Sequence, residues 1–400
     1  MRKKFEEGSP SRLLMKIGFY TGCIAYRGLR FLADDPRSIQ MSAKNLVKDG
    51  YLTDEIVLCG DGERSRVLIP THKAHLELKG TLFPYDGDYL RHSKHRLGYK
   101  LTTLPDREKM RASAIARVVT TSEQVCFFWG VWKRLYEVYP KKHTALFPGE
   151  KALMGPVPLG HAYYYRAWDL KRLMHPRKAR ACSGRAQGYM ADGADLYSIL
   201  SMPRTVLLVR DRQERDTLQM MSRMLLPGNA PGWAGYLILT RNISLLSHLA
   251  VANETVESME HQHRFFLDPD LPGMSHCLIL PQNADGMEVL AMLLLPRGRD
   301  HLGYLPSVHP MRGSYDMVYD YMENGEYVLS MLVPDVFRLK KFLRALRIFP
   351  DRTGHLHIYV FQTEPIRKLV EGMPNVRVTV YTVANVKDAM LRVTKEERER

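Results

Sequence analysis

Four hundred residues, 45% hydrophobic and 25% charged, describe a soluble chain large enough for two or three domains. The longest apolar runs, Val125 to Trp132 and Val289 to Leu295, fall well short of the roughly 20 residues that cross a bilayer, and the charged N-terminus is no secretion signal, so a cytoplasmic protein is expected. Five dispersed cysteines (Cys23, Cys59, Cys126, Cys182, Cys277), in no CxxC or Cys/His spacing, argue against disulfides and structural zinc.

The net charge of +15 is unevenly placed. Residues 1 to 79 hold 14 Lys/Arg against 10 Asp/Glu, residues 80 to 186 hold 20 against 8, and the remainder 24 against 25. A positive excess confined to the first half is the footprint of a polyanion partner, because neutralising phosphates releases counterions.

Three short helices are expected at the start: Ser11 to Tyr20, Ile24 to Ala33, and a third opened by Asp35 as cap and Pro36 at the first helical position. In the third, Ile39, Ala43, Leu46 and Val47 recur at helical spacing and face inward, leaving Arg37, Gln40, Met41, Lys44 and Lys48 outside, as on a helix that lies in a major groove. Gly50 stops it. Tyr51 to Leu58 and Arg64 to Ile69 then read as strands around the turn Gly60-Asp61-Gly62, and Thr71 caps a helix through Leu78. This order predicts a winged helix-turn-helix over residues 1 to 80, with Arg37, Gln40, Met41 and Lys44 at bases and Lys48, Arg64, Arg66 and Lys73 at phosphates of double-stranded DNA.

Residues 81 to 186 read as a basic helical linker, with a long helix from Asp106 to about Trp132 suited to dimerisation. A second basic stretch, Arg166, Lys171, Arg172, Arg177, Lys178 and Arg180 interleaved with Tyr163, Tyr164, Tyr165 and Trp168, is a candidate second nucleic-acid patch or a solvated face over an aromatic cluster.

From 187 to 400 a mixed α/β domain is expected, making the whole chain α+β. Strands are predicted at Gly188 to Leu200 and Arg204 to Val209 as a hairpin, then at Trp233 to Thr240, His276 to Leu280, Val328 to Leu332, Leu356 to Gln362 and Val376 to Val383. Helices are predicted at Gln213 to Leu226, Ile243 to Ala252, Ala284 to Leu294, Asp335 to Arg347 and Pro365 to Glu371.

Chemistry is sparse in this half. The stretch "GSYDMVYDYMENGEYVLSML" has the layout of a metal-nuclease hairpin with Asp316, Asp320 and Glu326 available, but Leu329-Ser330-Met331-Leu332 stand where an acid-x-Lys belongs, so the fold reads as a degenerate restriction-endonuclease-like one. His355-Leu356-His357 places two imidazoles on one face of a strand, the pattern of nucleases that cut with a tyrosine, or of polar packing. His261 and His263 beside Glu257 and Glu260 read as an exposed helix end. No nucleotide loop of the GxxxxGK[ST] or GxGxxG type follows a strand. No metal or cofactor is expected, and Asp320, His355 and His357 are the only catalytic candidates.

The segments "KNLVKDGYL" with its wing, "SGRAQGYMADGADLYSIL", and "VLSMLVPDVFRLKKF" followed by "HLHIYVFQTE" resemble the replication-relaxation type of proteins carried by plasmids and integrative conjugative elements of Gram-positive bacteria. The resemblance implies DNA binding in plasmid replication or conjugative mobilisation, beside a relaxase or replication protein, with a nuclease-like domain that need not cut. The expectation is a homodimeric accessory factor. A transcriptional repressor and a metal-dependent nuclease are the alternatives.

Overall fold

A computed structural model describes residues 2–59, 63–82, 108–147, 156–167, 169–170, 186–193, 195–202, 211–226, 233–251, 276–305, 307–310 and 316–399. The chain is mixed α+β and divides into two compact units: residues 1–133, 144–156 and 163–173 form the first, and 134–143, 157–162 and 174–400 the second. The segment 81 to 186 thus supplies residues to both. The turn at 60 to 62, residues 83 to 107, Lys171 to Arg185, Arg204 to Val209, and His261 with His263 lie outside the described residues.

In the first unit α1 (Pro10–Thr21) is capped by Ser9, whose hydroxyl accepts from the Arg12 N–H at 3.2 Å, and ends at Gly22 with φ 90°. The expected second helix does not form. Ile24 and Ala25 instead make a short strand, β1 (Ile24–Ala25), and a 3-10 turn covers Tyr26 to Phe31. The physical reason is burial on both sides. Cys23, Ile24 and Ala25 are wholly enclosed and extended beneath a neighbouring strand, and Gly28 lies so close to Cys126 that a Cβ there would meet its sulfur at 2.8 Å. Then follow α2 (Pro36–Lys48), β2 (Leu52–Leu58), β3 (Arg64–Pro70), α3 (His72–Leu82) and the long α4 (Glu108–Val138). The sheet is antiparallel in the order β1-β3-β2.

One row of this sheet, Ala25, Val67 and Ile69 with Cys23 and Cys59, packs against Ile115, Val118 and Val119 of α4. The Ala25 N–H donates to Ser122 Oγ at 2.9 Å. Helix α4 is buried continuously from Ser122 to Phe128. It is therefore a core helix over this stretch, polar Ser122, Glu123 and Gln124 included, rather than a free dimerisation surface.

Two short strands, β4 (His143–Ala145) and β5 (His161–Arg166), lie where the chain passes between units. The second unit continues with β6 (Gly188–Asp192), β7 (Asp195–Met202), α5 (Asp211–Leu225), β8 (Trp233–Thr240), α6 (Leu245–Val251), β9 (His276–Pro281), α7 (Ala284–Leu293) and α8 (Gly298–His301). After these come β10 (Ser307–Pro310), β11 (Asp316–Tyr319), β12 (Tyr321–Glu323), β13 (Glu326–Ser330), α9 (Val336–Ile348), β14 (Gly354–Tyr359), α10 (Thr363–Val370), β15 (Val376–Tyr381) and α11 (Val383–Glu399). The expected single strand from Gly188 to Leu200 is instead two. The run at 188 to 202 folds on itself, because Gly193, at φ 57°, turns the chain and pairs Asp192 with Asp195.

The same succession occurs twice in this unit, a relation that sequence reading missed. A hairpin (β6 with β7, and β12 with β13) is followed by helix, parallel strand, helix, parallel strand and helix, in the orders β6-β7-β8-β9 and β12-β13-β14-β15. The registers coincide. Met190, Tyr197, Gly235 and His276 lie in one row of the first half, and Met322, Tyr327, Gly354 and Val376 in the matching row of the second. Matching helices also touch: α6 packs on α10 and α7 on α11. In the sequence the signal is "GYMADGADLY" against "DYMENGEY", two residues shorter at the turn.

Candidate nucleic-acid interface

Helix α2 positions the predicted base-reading face. Its cap, Asp35, accepts from the Arg37 N–H at 3.0 Å, and Pro36 starts the helix. Ile39, Ala43 and Leu46 are buried. Arg37, Met41, Lys44 and Lys48 are exposed and Gln40 is half-exposed, and these five share one flank at spacings of three and four. Its thirteen residues contain no Asp or Glu. At its end Asp49 is ion-paired with Lys4, which holds that carboxyl below its usual range.

Hairpin β2–β3 carries two of the predicted phosphate contacts. Arg64 and Arg66 are exposed and, two residues apart on a strand, point to the same face. Arg66 is not free. Its guanidinium forks onto Asp54 at 2.6 and 2.9 Å and lies 4.1 Å over the Tyr26 ring, which fixes its direction and keeps the Asp54 carboxyl low. The pair is solvated on both sides, so a phosphate can share the guanidinium at small cost. Lys73 is exposed but donates to the Asp49 carbonyl at 2.9 Å and sits 4.7 Å from the Tyr51 ring. That places a cation at the C-terminal end of α2, where the helix dipole favours it.

The structure puts the other candidates elsewhere. Arg166, expected on a second patch, faces inward: it is 5% exposed, binds both oxygens of Asp169 at 2.6 Å, and lies 3.8 Å over Tyr20. Burial decides this, since Tyr164 and Tyr165 on the same strand are enclosed. The remaining patch residues, Lys171, Arg172, Arg177, Lys178 and Arg180, lie outside the described residues.

Asp320 is buried. It accepts from the Ser330 and Leu305 N–H groups at 2.7 and 2.8 Å and from Arg338 at 2.6 Å, so its oxygens serve packing, although burial still raises its pKa above the ordinary carboxylate value. His355 and His357 do share one strand face, with ring centres 4.4 Å apart. Both nitrogens of His355 are engaged, with Thr379 Oγ1 at 2.7 Å and Arg377 at 3.0 Å. Burial lowers both imidazoles, His357 to about 4, so both are neutral at pH 7. Tyr321 and Tyr381 flank His357. Among the described residues no group of three His, Cys, Asp or Glu side chains is placed to hold a metal ion, and no helix is long and apolar enough to cross a membrane.

No protein-family model, curated protein or solved structure matches the chain.

Sequence reasoning also missed the outer aliphatic pair of the hairpin. Ile56 is 73% exposed and Leu58 55%, on the same strand face and paired in register with Arg66 and Arg64. The signal was the strand run Ile56-Val57-Leu58, where strict alternation would place a polar residue on the outer side.

Proposed function

We propose that residues 1 to about 80 are a winged helix-turn-helix domain that binds duplex DNA sequence-specifically, with α2 in the major groove and the β2–β3 hairpin as the wing. The observation that carries this is α2: three buried apolar side chains hold it against the domain, while an acid-free flank presents Arg37, Gln40, Met41, Lys44 and Lys48. Arg37, Gln40, Met41 and Lys44 read base edges. Lys48, Arg64, Arg66 and Lys73 hold phosphates and set the register. Given the resemblance in sequence, the protein serves as an accessory factor in replication initiation or conjugative mobilisation of its element, as a homodimer whose second unit meets a relaxase or replication protein.

The test is binding to duplexes selected by the protein from a randomised pool, measured across a salt series. Affinity should fall steeply with salt. Lys44→Ala should relax the preference at one base position, whereas Arg64→Ala should weaken all duplexes alike and reduce the salt slope by about one. Salt-insensitive absence of binding would overturn the reading.

A further inference from the structure

The reading of residues 1 to 80 as a DNA-binding domain leaves one feature of the hairpin unexplained, and the inference that follows rests on that reading. On β2 the row Asp54, Ile56, Leu58 pairs in register with Leu68, Arg66 and Arg64 of β3. The opposite row, with Val57 and Val67, is packed with α4. Leu68 at the base of the outer row is buried, whereas Ile56 and Leu58 towards the tip are the exposed part. An Ile and a Leu held in water beside two arginines are poorly explained by folding alone, because neither covers the core and both cost solvation.

We propose that Ile56 and Leu58 form an apolar wedge that enters the DNA minor groove and partly unstacks a base step, so that the protein bends its duplex. Three observations converge on that occupant. The two aliphatic side chains stand side by side on one strand face. Their cross-strand partners are Arg66 and Arg64, cations of the kind that a narrow minor groove attracts. Arg66 is further held in place by Asp54 and Tyr26, so the wedge has a rigid base rather than a loose one. Architectural DNA-binding proteins pair the same two components, an aliphatic side chain between base steps and basic groups on the flanking phosphates.

The experiment is energy transfer between dyes at the two ends of a selected duplex, with the full chain added. The wild-type protein should shorten the end-to-end distance. The double variant Ile56→Ser/Leu58→Ser should bind with an unchanged salt slope and no more than about a tenfold loss of affinity, yet leave the duplex straight. Ile56→Val/Leu58→Met, which keeps aliphatic bulk, should restore the bend. Bending that survives the double serine variant would overturn the wedge, as would wild-type binding without bending, in which case DNA binding itself stands. A dimer that dissociates in the serine variant while the duplex is straight in every case would assign the pair to contact between copies and also overturn it. No binding by the wild-type protein to any duplex would instead defeat the DNA reading, and the wedge with it.

Discussion

The two halves of the second unit share one backbone plan and use it differently. In the first half the row Tyr189, Ser198, Tyr236, Cys277 and the row Leu200, Ile238, Ile279 are all buried. In the second half the matching rows read Tyr321, Val328, His355, Arg377 and Ser330, His357, Thr379, where Arg377 is exposed and Tyr321, His357 and Thr379 are half-buried. The outer edge of β9 is also covered: the Ile279 N–H donates to the Pro334 carbonyl at 3.0 Å and Leu278 bridges to Asp335. No described strand pairs with the outer edge of β15. A shared topology therefore does not dictate which sheet face is sealed; side-chain chemistry on alternate residues does.

Exchanging residues between the halves tests this directly. The largest effect is expected from Asp320→Gly, which installs the residue of the matching position, Gly188. It strands Arg338 in the interior without its carboxylate and should cost about 3 to 5 kcal/mol in chemical denaturation. Ile238→His, importing the residue of position 357, should cost about 2 to 4 kcal/mol, because an imidazole replaces a fully buried aliphatic side chain. The reverse exchange, His357→Ile, should stay within about 1 kcal/mol of wild type, since that position is half open. Equal losses in the two exchanges would break the comparison.

The matched glycines give a smaller contrast. A Cβ at Gly235 would run into the backbone carbonyl of His276, whereas at Gly354 it meets side-chain atoms of Leu346 and Phe342. Gly235→Ala should therefore cost about 3 kcal/mol and Gly354→Ala about 1 to 2 kcal/mol, since side chains yield more readily than backbone. Thermal denaturation of both variants checks the order.

The smallest effect is a pH dependence confined to the second half. Burial, followed by the neighbouring His355, holds His357 down to about 4 against an ordinary 6.5, so the unfolded chain takes up this proton first. The stability this histidine supports is complete above pH 6.5 and is lost as pH falls towards 4. His357→Ile should flatten the decline in melting temperature between pH 7 and 4.5. An unchanged slope would assign that decline to other groups.

Particular residues show how far the sequence could be read. Asp35, Pro36 and the spacing of Ile39, Ala43 and Leu46 give α2 almost to the residue, because a cap and an amphipathic stripe are local properties. Thr71 likewise opens α3, its hydroxyl accepting from the Ala74 N–H at 3.3 Å. The strands at Trp233–Thr240, His276–Pro281 and Val376–Tyr381 are legible for the same reason. The segment 24 to 31 was not, because its extended start depends on Leu68 and Val67 across the sheet. The repeat was visible in principle as two related hairpins, but two residues of difference at the turn and divergent strands hid it until the registers aligned.

Of the candidate site, the basic flank of α2 and the alternation of Arg64 with Arg66 follow from sequence alone, since they require only helical and strand periodicity. Tertiary structure alone decided what those groups are free to do. It paired Arg66 with Asp54, turned Lys73 to the end of α2, enclosed Arg166 with Asp169, and left Ile56 and Leu58 in water. The division has one physical cause. Periodicity is set by neighbours along the chain, whereas burial and ion pairing are set by residues brought close only when the chain folds.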